Sequence, residues 1–303
     1  MAFRTYRKRL WLMPNPAVRA EIASLDPTRD CERIVHLLTA YEFPFDIQRS
    51  LELALFHTYG STSVAALLDR TAEFRYAGQK RYDDTRLLIS QFMESGVGAG
   101  LGGTSVARMN EIHAFFRIPN DDFLFVLWTF ISYPQNWIAD FGWRPLTWSE
   151  RHAWFTFFLR VGERMGLADI PQTYGDFERF ASAYEATYLV YADANRRVAD
   201  DTVAIFAGWF PPIARFLVQP VVTALIPGTL IRAFGYRPPP VWLKWTVRRV
   251  LAARAFALRF VTLEPYPSLL TTTRNLTYPG NTYEIEALGP DRLAGRSRAS
   301  AGG

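Results

Sequence analysis

SVARMNEIHAFFRIPNDDFLFVLWTFI, Ser105 to Ile131, holds two helical patterns separated by a proline. In the first, Met109, His113 and Phe116 or Arg117 recur at three- and four-residue spacing, which places them on one helical face. Pro119 disfavours helical geometry in the residue before it, so this helix has to stop near Ile118. Asn120 then reads as an N-cap, with Asp121 and Asp122 in the first turn, where carboxylates suit the helix dipole. Phe123, Leu124, Val126, Leu127, Phe130 and Ile131 form a buried stripe, and Pro134 is expected to end the second helix.

The same grammar runs outward in both directions. DPTRDCERIVHLLTAYEF opens on Asp26 as an N-cap with Pro27 at the first helical position. FPFDIQRSLELALFHTYG closes on Gly60, and QKRYDDTRLLISQFMESG on Gly96. TWSE, Thr147 to Glu150, matches a capping box for a helix reaching Gly166. Further helices are expected at Gly175 to Val190, Asp193 to Trp209 and Val241 to Val261, and strand signals are nearly absent. These signals predict an all-α fold: one multi-helix domain over residues 17–288, a basic arm at 1–16 and a disordered tail at 289–303.

Composition narrows the function classes. The chain of 303 residues is 49% hydrophobic and 21% charged, a globular balance, and 15% aromatic, enough to line a wide apolar pocket. A net charge of +5 with no nucleic-acid motif does not imply a nucleic-acid partner. The dense patch RTYRKR, Arg4 to Arg9, reads first as a solvated arm and second as a segment drawn to an anionic membrane surface. One cysteine, Cys31, excludes internal disulfides and cysteine-based zinc sites. LWLM is too short for a signal peptide core, and Arg215 with four prolines interrupts the apolar block 203–231. A buried helical pair or a surface that rests on membrane is expected from that block, in a cytoplasmic protein.

Chemistry-bearing patterns are few. GxGxxG at Gly98 to Gly103 comes after a helical rather than a strand pattern, so it reads as a connection between helices and not as a nucleotide site; Thr104 or Ser105 is expected to cap the next helix. No HExxH, ExxH pair or GxSxG elbow occurs. The acid pairs Asp83–Asp84, Asp121–Asp122 and Asp200–Asp201 are expected to be solvated or capping. Arg81, Asp84 and Thr85 share a helical face at i, i+3 and i+4, read either as a surface ion pair or as a polar cluster facing a pocket.

Taken together, KRYDDTRLLI from Lys80, ARMNEIHAFFRIPNDDFLFVLWTFI from Ala107, FGWRPLTWSE from Phe141, VGERMGL from Val161 and YEATYLV from Tyr184 resemble one family. This is the MpaB oxygenase family, whose distant relatives include the latex-clearing proteins, or rubber oxygenases. The resemblance implies a helical domain with a buried pocket for haem b, and cleavage of carbon–carbon double bonds of isoprenoid chains with O2. By the same resemblance His113 is the axial iron ligand, and Arg81 and Thr85 lie near the haem. Asp84 stands where latex-clearing proteins carry a lysine. Arg117 and Arg108 become candidates for pairing the haem propionates, since arginine suits bidentate carboxylate contact. Trp143, Arg144, Glu150, Tyr184, Glu185 and Asn195 match the pattern too, and are expected to be structural. The rivals are a non-catalytic haem or lipid carrier and a helical terpene synthase, although DDTRL and NDDFLFVL lack the second acid of a DDxxD motif.

Overall fold

The computed structural model describes residues 5–6, 14–98, 100–261 and 266–291, and the described residues form helices without strands. In chain order these are α1 (Pro16–Ser24), α2 (Cys31–Leu37), α3 (Pro44–Thr58), α4 (Thr62–Thr71), α5 (Glu73–Ser95), α6 (Gly100–Ala114), α7 (Asn120–Phe141), α8 (Trp148–Arg164), α9 (Tyr174–Tyr188), α10 (Asp193–Gly208), α11 (Val218–Leu225), α12 (Gly228–Ala233) and α13 (Val241–Ala257). The expected all-α class holds. A π-helical stretch, Leu38–Glu42, prolongs α2. One continuous core runs from Tyr6, ahead of α1, to Tyr236 beyond α12, and α3 lies along α7 at its centre.

Several helix ends differ from the sequence expectation, and three of them have a clear local reason. The Asp26 side chain does accept backbone N–H groups, from Thr28 at 2.9 Å and Arg29 at 2.7 Å, but it caps a turn, and α2 starts only at Cys31. Asn120 is the first residue of α7 rather than its cap; its amide side chain instead bridges the N–H and C=O of Ala168, both at 3.0 Å. Pro134 does not end α7. The carbonyl that its missing N–H would have bonded belongs to Phe130, and that oxygen accepts from Trp154 Nε1 of α8 at 3.0 Å. With the orphan acceptor satisfied from a neighbour, the helix passes through the proline to Phe141.

The glycine-rich stretch is shorter as a loop than it reads. Helix α6 begins at Gly100, ahead of Thr104 and Ser105, and the Ser105 hydroxyl donates to Leu88 O of α5 at 2.6 Å. A Cβ on Gly102 would lie 1.7 Å from Gly96 O, so glycine there is what lets α6 press against the end of α5. The capping box at Thr147 and Glu150 forms with both reciprocal bonds.

The chain after α13 is not a loose tail at Gly289. Residues 266–291 lie back against α5: Thr277 N and Oγ1 donate to Asp83, Tyr278 Oη to Asp84, and Thr271 to Glu94. Leu288 is buried with Leu87, Leu88, Ile112 and Ile285 in a small satellite core. The expected disordered tail therefore overlaps the ordered fold at 289–291, and the rest of it, 292–303, lies outside the described residues, as does most of the basic arm.

Candidate active site

Helices α3 to α8 and α10 surround a cavity of ≈ 260 Å³, walled chiefly by apolar side chains such as Leu55, Phe74, Ile89, Met109, Phe116 and Phe130. His113 reaches it from the last turn of α6. The ring meets Phe123 of α7 edge-on, with centroids 5.1 Å apart. Burial foremost, and then the positive charge of Arg81, bring its imidazole down to about 4, so the ring is neutral at physiological pH. Its Nδ1 is buried with no hydrogen-bond partner.

Arg81 and Thr85 meet on the same wall. The guanidinium donates to Thr85 Oγ1 at 2.5 Å, while that hydroxyl donates to Arg81 O at 2.8 Å. The threonine thus spends its own proton on the backbone and holds the arginine by its lone pair. Arg86 also lines the cavity; it donates to Leu270 O at 3.3 Å and approaches Asp83 at 3.7 Å.

The other candidates lie elsewhere. Asp84 is only 2% exposed, yet it faces away from the cavity. It accepts from Lys80 at 2.7 Å, from Tyr278 Oη at 2.6 Å and from Gly289 N at 3.0 Å. It does not pair with Arg81, and neither it nor Asp83 is the solvated acid that the doublet suggested. Arg108 is buried but committed, donating to Leu288 O and to Glu111, each at 2.9 Å. Arg117 is exposed and does not line the cavity. The cavity's cations are Arg81 and Arg86, not the pair flanking His113 in sequence.

One polar group escaped the sequence reading. Gln48 and Glu52 of α3 project into the cavity beside Tyr82 of α5, whose phenol donates to Glu52 at 2.5 Å; Arg49 pairs the same carboxylate at 2.7 Å. Burial raises Glu52 above the usual carboxylate range. The available signal was an acid at an apolar position, one turn from Gln48 in QRSLELALF. Cys31, by contrast, is buried and lifted to about 11 by that burial, which makes it a poor nucleophile.

The residues expected to be structural are cross-links around this site. Arg144 is clamped between Glu42 at 2.6 Å and Glu150 at 2.7 Å. Tyr184 Oη bonds Asp122, Glu185 approaches His57 Nε2 at 3.3 Å, and Asn195 donates to Gly60 O at 2.7 Å and Val190 O at 2.9 Å.

The donor set fits a haem better than a protein-ligated metal. Among the described residues no group of three or more His, Cys, Asp or Glu converges, and the buried, unpartnered Nδ1 of His113 is the donor that would hold a haem iron. An orphaned neutral imidazole in an apolar wall, with an arginine beside it, suits that role.

Comparison with known proteins decides the family. The model of the family described as ER-bound oxygenase mpaB/B'/Rubber oxygenase, catalytic domain, matches residues 105–262, more than half of the chain. The chain belongs to this oxygenase family. It is 29% identical over 270 residues to an ER-bound oxygenase mpaB' of Penicillium brevicompactum, covering 83% of this chain and 64% of that protein. It is 32% identical over 190 residues to an ER-bound oxygenase mpaB of Penicillium roqueforti, covering 57% and 64% respectively. The matched part thus spans a little under two thirds of each relative. Within the family match fall His113 and the walls from α7, α8 and α10; Arg81, Thr85 and Glu52 precede it.

Proposed function

We propose that this chain is a haem b-dependent oxygenase that cleaves a carbon–carbon double bond of a hydrophobic, isoprenoid-type substrate with O2. The observation that carries the reading is His113, a neutral imidazole with a buried, partnerless nitrogen in the wall of an apolar cavity, in a chain of an oxygenase family. Haem, when bound, supplies an iron that activates O2. His113 would hold that iron through its unprotonated ring nitrogen, and burial is what keeps the lone pair available. Arg81, fixed by Thr85, offers its remaining N–H groups to a carboxylate or to a developing anionic oxygen. The aromatic and aliphatic lining excludes water and holds an alkene chain by surface burial, at roughly 25 cal/mol per Å² of apolar area. Glu52, Gln48 and Tyr82 form a polar spot in that lining that orients whichever end of the substrate carries a hydrogen-bonding group. Adding one oxygen atom to each alkene carbon gives two carbonyl fragments and requires no external reductant.

The test is to supply haem to the full chain and incubate it with prenyl alcohols of increasing length under isotopically labelled O2. Paired carbonyl fragments, each carrying label, and their loss in His113→Ala, are expected. Haem binding without O2 uptake or carbonyl products would instead make the protein a carrier.

A further inference from the structure

Between Thr202 and Leu263 the chain carries eight arginines and lysines and not one aspartate or glutamate. This run also holds ten of the eighteen large apolar side chains that are exposed among the described residues. Not all of it faces outward. Val218 and Val222 of α11 and Leu230 and Ile231 of α12 are buried, so the apolar block, expected as a buried helical pair or a membrane-resting surface, is in part core. The exposed remainder consists of the 3-10 stretch Pro212–Leu217, where Ile213 is 84% exposed, and the outer face of α13.

Helix α13 is two-sided. Leu251, Arg254, Ala255 and Leu258 face inward, with Arg254 bonded to Asp46 at 3.0 Å and lying over the Phe45 ring at 3.8 Å. Trp242, Trp245, Arg249 and Phe256 recur at three-, four- and seven-residue spacing on the other side, and all four are exposed. Arg249 stacks over Trp245 at 5.2 Å, and Arg259 lies 5.9 Å from the Phe256 ring. The anchored inner face leaves this aromatic stripe no core to turn into.

From this combination we infer that the outer face of α13, with the adjoining 3-10 stretch, docks on the headgroup layer of an anionic lipid bilayer. Tryptophan and phenylalanine partition into the boundary between headgroups and acyl chains, while arginine and lysine meet the lipid phosphates. The excess positive charge, which Asp46 and Asp140 offset only at Arg254 and Arg248, sets a bilayer above a second copy of the chain, because a symmetric contact would press like charges together. The placement is also useful. Thr202, Ile205 and Phe206 of α10 line the cavity, and the exposed Phe210, Ile213 and Phe216 come within the next ten residues, so docking brings this wall toward the phase in which apolar molecules dissolve. The inference concerns a surface and stands whether or not the haem reading does.

Flotation of the full chain with vesicles of phosphatidylcholine, alone or doped with phosphatidylserine, tests it. Binding about tenfold stronger to the doped vesicles, and weakened by salt, is expected. Trp242→Ser with Trp245→Ser should lower binding to both vesicles about tenfold, and Lys244→Gln with Arg249→Gln should remove only the phosphatidylserine preference. Circular dichroism and light scattering of each variant report fold and assembly. Vesicle binding that neither pair changes, or no binding by a wild type that self-associates through Trp242 and Trp245, would overturn the inference.

Discussion

Arg81, Asp84 and Thr85 show what side-chain spacing does and does not decide. At roughly 100° per residue, Thr85 stands about 40° to one side of Arg81 and Asp84 about 60° to the other. The cavity takes the first two, and the returning segment 266–291 takes the third, which no local pattern in α5 announces. Arg108 and Arg117 do not line the cavity for the same reason: proximity to His113 in sequence says nothing about the element that packs against each flank. The place of His113 in the cavity wall was legible because its motif is specific and its neighbours are apolar. At this scale burial also sets a pH dependence. His36 is brought to about 4, first by burial and then by the Arg33 charge, and its Nδ1 lies 2.9 Å from Glu94 O. Unfolded, it protonates near 6.5. Below that pH the unfolded chain binds a proton that the fold refuses, so stability is full above about 6.5 and falls as pH drops toward 4, by up to about 3 kcal/mol. Urea unfolding of wild type and His36→Gln across this window should give a shallower pH slope for the variant; equal slopes would contradict the assignment.

At the scale of the element, most helices could be located from apolar periodicity and capping chemistry, and the misplaced boundaries share a cause. Pro134 and Gly102 were read by their intrinsic preferences, whereas the structure uses what lies across from them: Trp154 for one, the backbone of Gly96 for the other. Trp154→Phe should therefore strand the Phe130 carbonyl and leave a small void, at a combined cost of about 2–4 kcal/mol in denaturant unfolding. Adding Pro134→Ala restores an N–H within reach of that carbonyl and should recover about 1 kcal/mol of the loss. If the second substitution makes matters worse, the tryptophan is not what carries α7 through its proline.

Across the whole molecule, the all-α class was open to sequence reading because 3.6-residue patterns fill the chain, but the closure of the cavity was not. Its wall includes Leu270 and Pro290, roughly 180 to 200 residues along the chain from the α5 and α6 side chains they meet. Of the acids fastening that segment, Asp83 read as solvated or capping and Asp84 as part of a surface or pocket-facing cluster, and no pattern set Glu94 apart. Asp84→Ala leaves Lys80, Tyr278 and Gly289 N without their shared acceptor. We expect about 3–5 kcal/mol of lost stability and faster proteolytic cutting within residues 266–291, with α7 and α8 protected as before. Uniform protection along the variant chain would show that the segment is held by its apolar contacts alone.

The central claim is that the His113 imidazole holds a porphyrin iron, and the visible absorption spectrum of the purified full chain reconstituted with haem measures it most directly. A Soret band with about one haem per chain is predicted for wild type, and His113→Ala should lose most of the haem or shift the band, with an unchanged far-ultraviolet circular dichroism spectrum. A wild type that takes up no haem, or a variant with the same band and the same haem content, would contradict the account.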